Sequence, residues 1–405
     1  MTSTEESLSG GPAGYRAVLA VREFRAVFAA HLLSLLGLVT GELALSVLVY
    51  RVTGSPLISA LAFALGFLPY LLGGTLLAGV ADRYPARRVL VVCNLLCAAS
   101  TVVMALPGAP VAVLLAMRCS SALIGPVLAG TRSATLGDVL GEGDLFVLGR
   151  SLIRIVTQGA QLAGFAAGGL LLTAVPPRTA LLCTVAGFLA AALLLRCGTR
   201  RRPGRATGGA DVVGASLSGA RRLLADRRTR ALLLLSWCPP FFLVAPESLA
   251  APYADAIGAG TVGVGLLLCG MPVGTILGEV LAGALLGPRG RERIALPAAA
   301  VLLLPFLLYV LRPSLGWALF TVALAGLGAA YTLGLDQWFV AAVPEELRGR
   351  AMTLQTAGTM TVQGLGMALA GAAAEYVPVH WVVAGSGVTG TLVVGSVVRL
   401  VVGSA

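Results

Sequence analysis

Lysine is absent from this sequence, and all 29 basic side chains are arginine. Charge of either sign is scarce, at 12% of 405 residues, about half of what a soluble globular domain carries. Histidine occurs twice, and the seven cysteines are scattered through apolar segments, with Cys93 and Cys97 at helical i,i+4 spacing the one close pair. These thiols read as buried apolar side chains rather than disulfide partners or metal ligands. The sequence has no nucleotide-binding loop, no metal-ligand cluster and no nucleophile with a recognisable base. An enzyme is therefore not expected, and neither is a cofactor or metal.

What is abundant is apolar surface, with 57% hydrophobic residues and a mean hydropathy of +0.91. Runs of roughly 20 apolar residues, the length needed to cross a hydrocarbon core, recur along the chain between short polar breaks. Twelve such spans are expected, centred near residues 38, 68, 97, 120, 162, 187, 243, 274, 302, 328, 363 and 390. The breaks coincide with residues that end helices: Gly54 to Pro56, Pro107 to Pro110, Pro176 with Pro177, Pro288, Pro313 and Pro378. The first span exceeds signal-peptide length and lacks a small-residue cleavage site, so the N-terminus is expected to be retained.

A net charge of +11 would suggest a nucleic-acid partner in a soluble protein. Here the arginines flank spans and orient them, so no nucleic acid is expected. One set of loops carries Arg16, Arg22 and Arg25, then Arg83, Arg87 and Arg88, the stretch from Arg196 to Arg230, Arg289 to Arg293, and Arg348 with Arg350. The alternate loops carry Arg51, Arg178 and Arg312. Because cytoplasmic loops retain positive charge, both termini are expected in the cytoplasm. The arginine-only, Ala-, Gly- and Leu-rich composition points to a high-GC bacterial genome, hence a bacterial inner membrane.

The longest polar interval divides the chain into a cytoplasmic segment 1–25, a six-helix bundle 26–197, a linker 198–229 and a second six-helix bundle 230–405. A short amphipathic helix from Ser216 to Asp226 is expected on the membrane surface. The halves echo each other: Gly164, Gly169, Val175 and Pro176 recur at the same mutual spacing as Gly366, Gly371, Val377 and Pro378. Such internal repetition is how many transporters are built. The fold class expected is all-α integral membrane, two pseudo-symmetric six-helix bundles, acting as a monomer in lipid.

The stretch ADRYPARR between spans two and three resembles the loop signature of the major facilitator superfamily through Asp82, Arg83, Arg87 and Arg88, with Ala78 and Pro85 standing where that signature has glycines. FRAVFAAHLLSLLG, LVYRVTGSPLISAL and VPEELRGRAM, the last containing Gly349 and Arg350, look like the macrolide-efflux and enterobactin-exporter type. The resemblance implies alternating access and export of a small amphipathic compound by proton antiport. It places Asp82 near the start of span eleven, where a carboxylate complements the helix dipole. The antiporter signature of span five survives only as GFAAGG, with Phe165 replacing its proline. Gly164, Gly168 and Gly169 there are expected to serve close helix packing. Metabolite uptake or facilitated diffusion, and a transporter-derived sensor or scaffold, stay open.

Ionisable groups at membrane depth are costly and mark function by default. His31, Glu42, Arg118, Arg132, Arg154, Glu247, Glu279 and Asp336 are of this kind. In the superfamily, spans one, four, seven and ten line the central path, which places Glu42, Arg118, Glu247 and Asp336 on helices that reach substrate. Glu42 and Arg118 each lie about eight residues from the same side, roughly 12 Å deep by helical rise, and are expected to pair, with Glu42 the proton-coupling carboxylate. Arg154 and Glu279 each lie roughly 10 Å from the opposite side, and because the resemblance implies that spans five and eight pack together, they are expected to meet across the bundles. His31 reads as a satisfied interfacial histidine, while Arg132 and Asp336 are expected at helix ends. Glu247 follows Pro246 in a span already holding Pro239 and Pro240, so a broken or kinked helix is expected there. Phe241, Phe242 and Tyr331 are cavity candidates. Trp237, Trp317, Trp338 and Trp381 read as interface anchors.

Overall fold

The structure, a computed structural model, describes residues 15–70, 72–73, 84–141, 144–202, 223–286, 288–343 and 348–403. Described residues are helical apart from short connections. The first half comprises α1 (Tyr15–Ala20), α2 (Arg22–Thr53), α3 (Pro56–Ala64), α4 (Ala86–Ala105), α5 (Val111–Leu140), α6 (Asp144–Ala174) and α7 (Pro177–Gly198). The second comprises α8 (Arg227–Leu243), α9 (Ala245–Ser248), α10 (Ala250–Ala256), α11 (Gly260–Leu285), α12 (Pro288–Val301), a 3-10 stretch (Leu304–Leu311), α13 (Leu315–Gly328), α14 (Tyr331–Ala342), α15 (Arg348–Ala374) and α16 (Val379–Val402).

Among the described residues, ten stretches are long and apolar enough to cross a membrane. Of the two further spans expected, one begins with α3 and passes into residues outside the described set. The other, α15, has the length at 27 residues, but Thr353, Gln355, Thr356, Thr359, Thr361 and Gln363 lower its hydropathy. That polarity is tolerated because α15 is packed between α3 and α8. Residues 203–222, most of the expected linker and its amphipathic helix, lie outside the described residues, as do Asp82 and Arg83.

Helix ends follow local chemistry. Gly54, at φ 66°, closes α2 in the left-handed region that glycine adopts without penalty. Ser55 caps α3 by accepting from the Ile58 amide at 3.1 Å, with Pro56 at the first helical position. Asp226 caps α8, accepting from the Thr229 amide at 2.7 Å, and the bonds from Thr229 hold its carboxyl below the usual carboxylate range. Arg202, after α7, grips Glu23 at the start of α2 with two bonds of 2.5 and 2.9 Å, and Arg228 donates to the Val401 carbonyl at 3.1 Å. One end of the molecule is thus arginine-rich and the other arginine-poor.

The repeated glycines occupy equivalent places. Gly164 lies against Val39 of α2, and a Cβ there would come within 2.8 Å of its Cγ1; Gly366 lies against the Phe241 backbone of α8, the corresponding helix of the second half. Five residues on, Gly169 meets Gly265 of α11, while Gly371 meets Ala60 and Leu57 of α3. Gly168 lies against Leu43, with 3.0 Å to a would-be Cβ. Within a half and between halves, side-chain-free positions let backbones close in, the packing that helices in lipid depend on.

Candidate functional site

Arg118 emerges from the second turn of α5 and Glu42 from the middle of α2, and their side chains form an ion pair at 6% and 17% side-chain exposure. The guanidinium also donates through Nε to the Ala62 carbonyl at 3.4 Å. That carbonyl is near the end of α3, where the chain leaves helical geometry over residues 65–69. Gly66 in this turn faces Arg118 so closely that any side chain would overlap the guanidinium. A buried arginine needs hydrogen-bond partners for its donors, and α2 and α3 supply them. Beside the pair is a cavity of about 20 Å³ lined by Leu38, Thr101, Met104, Ser121, Leu181 and Phe188, room for about one water molecule.

Glu247 approaches from the second half. The span carrying it is broken as its prolines imply, but not at Pro239 and Pro240: α8 runs through both, and the breaks fall at Val244 and Leu249, on either side of Pro246. Glu247 is half-buried in the short α9. Among the described residues it makes no hydrogen bond or ion pair.

Phe241 and Phe242 stack edge to face at 4.9 Å between centroids and are half-buried. Phe242 lies against Gly390 of α16. Tyr331, expected in the cavity, is instead buried at 2% exposure, donating to the Leu235 carbonyl at 3.4 Å. Pro239 has no amide to offer that carbonyl four residues back, so the tyrosine satisfies it. Asp336 is exposed on α14 and accepts from Gln355 Nε2 at 3.4 Å. Gln355 also donates to Ser236 Oγ at 3.1 Å, and its carbonyl accepts from Trp237 Nε1 at 3.0 Å. Trp237 is therefore an inter-helix link inside the second half rather than an interface anchor. Trp317 and Trp381 are exposed near span ends, and Trp338 lies under the Arg228 guanidinium at 6.0 Å.

His31 and Arg132, singled out separately in the sequence, are partners: Arg132 Nη1 and His31 Nδ1 are 2.9 Å apart. Arginine only donates, so Nδ1 accepts and the ring proton sits on Nε2, which donates to Thr157 Oγ1 at 3.1 Å. Thr157 Oγ1 in turn donates a hydrogen bond to the Ile153 carbonyl at 2.8 Å. This chain joins α5, α2 and α6.

Glu279 is half-buried on α11, whereas the side chain of Arg154 lies outside the described residues, and so does the expected contact between them. Arg87 and Arg88 begin α4, half-buried and exposed respectively. Gly349 and Arg350 lie in the first turn of α15, and the Arg350 side chain is outside the described residues. Gly66, Ser236, Gln355 and Thr157 were not singled out in the sequence. Gly66 offered one signal, a glycine between Leu65 and Phe67 inside an expected span.

The two halves are joined at the arginine-poor end. Ser55 Oγ and the Leu57 amide both donate to Glu375 Oε1, the latter at 3.0 Å, and Tyr50 reaches Asp255 Oδ2 at 3.5 Å. Deeper in, Cys269 Sγ lies 3.6 Å from the Leu162 carbonyl.

The profile of the family described as Major Facilitator Superfamily matches residues 27–337. Individually curated proteins give no match. Among solved structures, the chain is similar to a POT family transporter in complex with a thioalcohol-conjugated peptide, with a TM-score of 0.74 and 11% identity over 95% of this chain and 97% of that one. A POT family transporter in complex with 5-aminolevulinic acid gives 0.71 at 12% identity over 95% and 97%, and the nucleoside transporter NupG gives 0.69 at 16% identity over 92% and 99%. At these identities the likeness is one of fold.

Proposed function

The chain belongs to the major facilitator superfamily, and from that membership we propose that it is a secondary active exporter of a small amphipathic compound, working by alternating access and proton antiport. It is a multi-pass membrane transporter and not an enzyme. Export and antiport are our reading, supported by the segments that resemble efflux permeases. The arginine asymmetry supports an inner-membrane orientation with the arginine-rich end in the cytoplasm, and reporter fusions at Ala13 and Ala405 appearing outside the cell would overturn it.

The observation that carries the coupling is the Glu42–Arg118 ion pair, held beside a cavity of water size. A charge at this depth must be paired, solvated or neutralised. Antiport requires that substrate and proton exclude one another: the substrate site is complete while Glu42 is ionised and paired with Arg118, and a proton that neutralises Glu42 breaks the pair and expels the substrate. Loss of the proton restores the pair. Substrate and proton thereby compete through one carboxylate. The bonds on Glu375 and Asp255 hold the two halves together at the arginine-poor end.

The test uses inverted vesicles and a panel of macrolide, siderophore and dye substrates. Glu42→Gln should abolish gradient-driven uptake while substrate exchange without a gradient continues. Gradient-driven uptake at the wild-type rate in that variant would remove Glu42 from the coupling.

A further inference from the structure

A second hollow lies at the arginine-poor end, away from the Glu42–Arg118 pair. Its volume is about 430 Å³, within the range of small-molecule sites. Tyr50 and Pro56 of the first half form one wall, and Pro252 and Tyr253 another. Two opposite charges, Arg312 and Glu375, also line it.

Arg312 is unusual in two respects. Its φ of 50° makes it the one described residue other than glycine in the left-handed region, a conformation that is uncommon without a local reason. It also belongs to the loop set from which arginine is otherwise nearly absent. Its Nε donates to His380 Nε2 at 3.1 Å, so that ring nitrogen accepts and the buried histidine adds no charge. This bond aims the guanidinium. Its two Nη groups have no protein partner among the described residues. Glu375 shows the reverse: Oε1 receives both Ser55 and Leu57, while Oε2 accepts nothing among the described residues. The hollow thus holds a fixed donor fork, a carboxylate oxygen with spare acceptor capacity, and walls of proline and tyrosine. Asp255, nearby, is occupied by Tyr50.

We propose that this hollow is a second ligand site that takes a small zwitterion with an apolar body, its carboxylate on the Arg312 fork and its ammonium on Glu375. Guanidinium and carboxylate match in planar, bidentate fashion, and the opposite charges of the site exclude neither pole of such a ligand. Because the walls come from both halves, an occupant holds this end closed.

Calorimetry on the full chain in detergent tests the site with L-phenylalanine and glycyl-L-phenylalanine, which separate the two charges differently. 3-Phenylpropionate and phenethylamine each supply one pole. At least one zwitterion should bind at about millimolar strength, and both one-pole compounds should bind about tenfold or more weakly. Arg312→Gly is the informative variant, because glycine takes φ 50° without strain and should keep thermal stability while losing the zwitterion. Glu375→Gln should weaken phenethylamine but not 3-phenylpropionate. Absence of binding by both zwitterions, or equal binding by wild type and Arg312→Gly, overturns the site. Spin labels at the exposed Val52 and Leu311 should show a narrower separation with the zwitterion bound. An unchanged distribution on saturation overturns the closure.

Discussion

Gly66 supplies the space that the Arg118 guanidinium occupies. The pair at the centre of the first half thus depends on a residue that contributes no atom to it.

Gly66→Ala should displace Arg118 from Glu42. Thermal unfolding in detergent should show a loss of about 1–3 kcal/mol, typical of overpacking. In a Glu42→Gln background the same substitution should cost less, since there is no ion pair left to disturb. Strictly additive losses would mean that Gly66 acts on packing alone.

Glu247→Gln separates function from stability in the opposite way. The carboxylate receives no donor among the described residues, so its amide should leave the melting temperature unchanged or raise it. Transport should fall, because Glu247 is a half-buried carboxylate at membrane depth with no partner among the described residues. A marked loss of stability would show a structural role instead.

The approach of Gly169 to Gly265 bears on alternating access. A Cβ on Gly265 would lie 2.8 Å from the Gly169 Cα and 2.7 Å from the Phe165 carbonyl, so Gly265→Ala should pry α6 and α11 apart at the arginine-poor end. Cys269, one turn along and 7% exposed, reports this. With Cys269 as the sole cysteine, maleimide labelling from the arginine-poor side should accelerate in the alanine variant. An unchanged rate would place the moving seam elsewhere.

Tyr331→Phe distinguishes packing from substrate contact. The Leu235 carbonyl would lose the hydroxyl that stands in for the missing Pro239 amide, and stability should drop by about 1 kcal/mol or somewhat more for a buried unsatisfied acceptor. Apparent KM should stay at the wild-type value. A changed KM at constant stability would return Tyr331 to the cavity.

The sequence by itself determined most of the architecture. Apolar run length against Gly and Pro breakers located the spans, because helix length in lipid is set by membrane thickness and helix ends by backbone chemistry. Rise per residue gave Glu42 and Arg118 the same depth, and the family resemblance supplied the adjacency of their spans. The repeat of Gly164 and Gly169 as Gly366 and Gly371 marked positions that make equivalent contacts in the structure. Tertiary structure decided what depth leaves open, namely which way each side chain turns. Tyr331 and Asp336 share one helix, yet one is buried and the other exposed. His31 and Arg132 looked like separate charges until α2, α5 and α6 came together around Thr157. Gln355 drew no notice as one polar residue among many, but it links Ser236 and Asp336 from different helices. Periodicity reads one helix at a time. The choice of partner depends on the rotation of each helix about its axis and on where it breaks, and only packing against the neighbours fixes those.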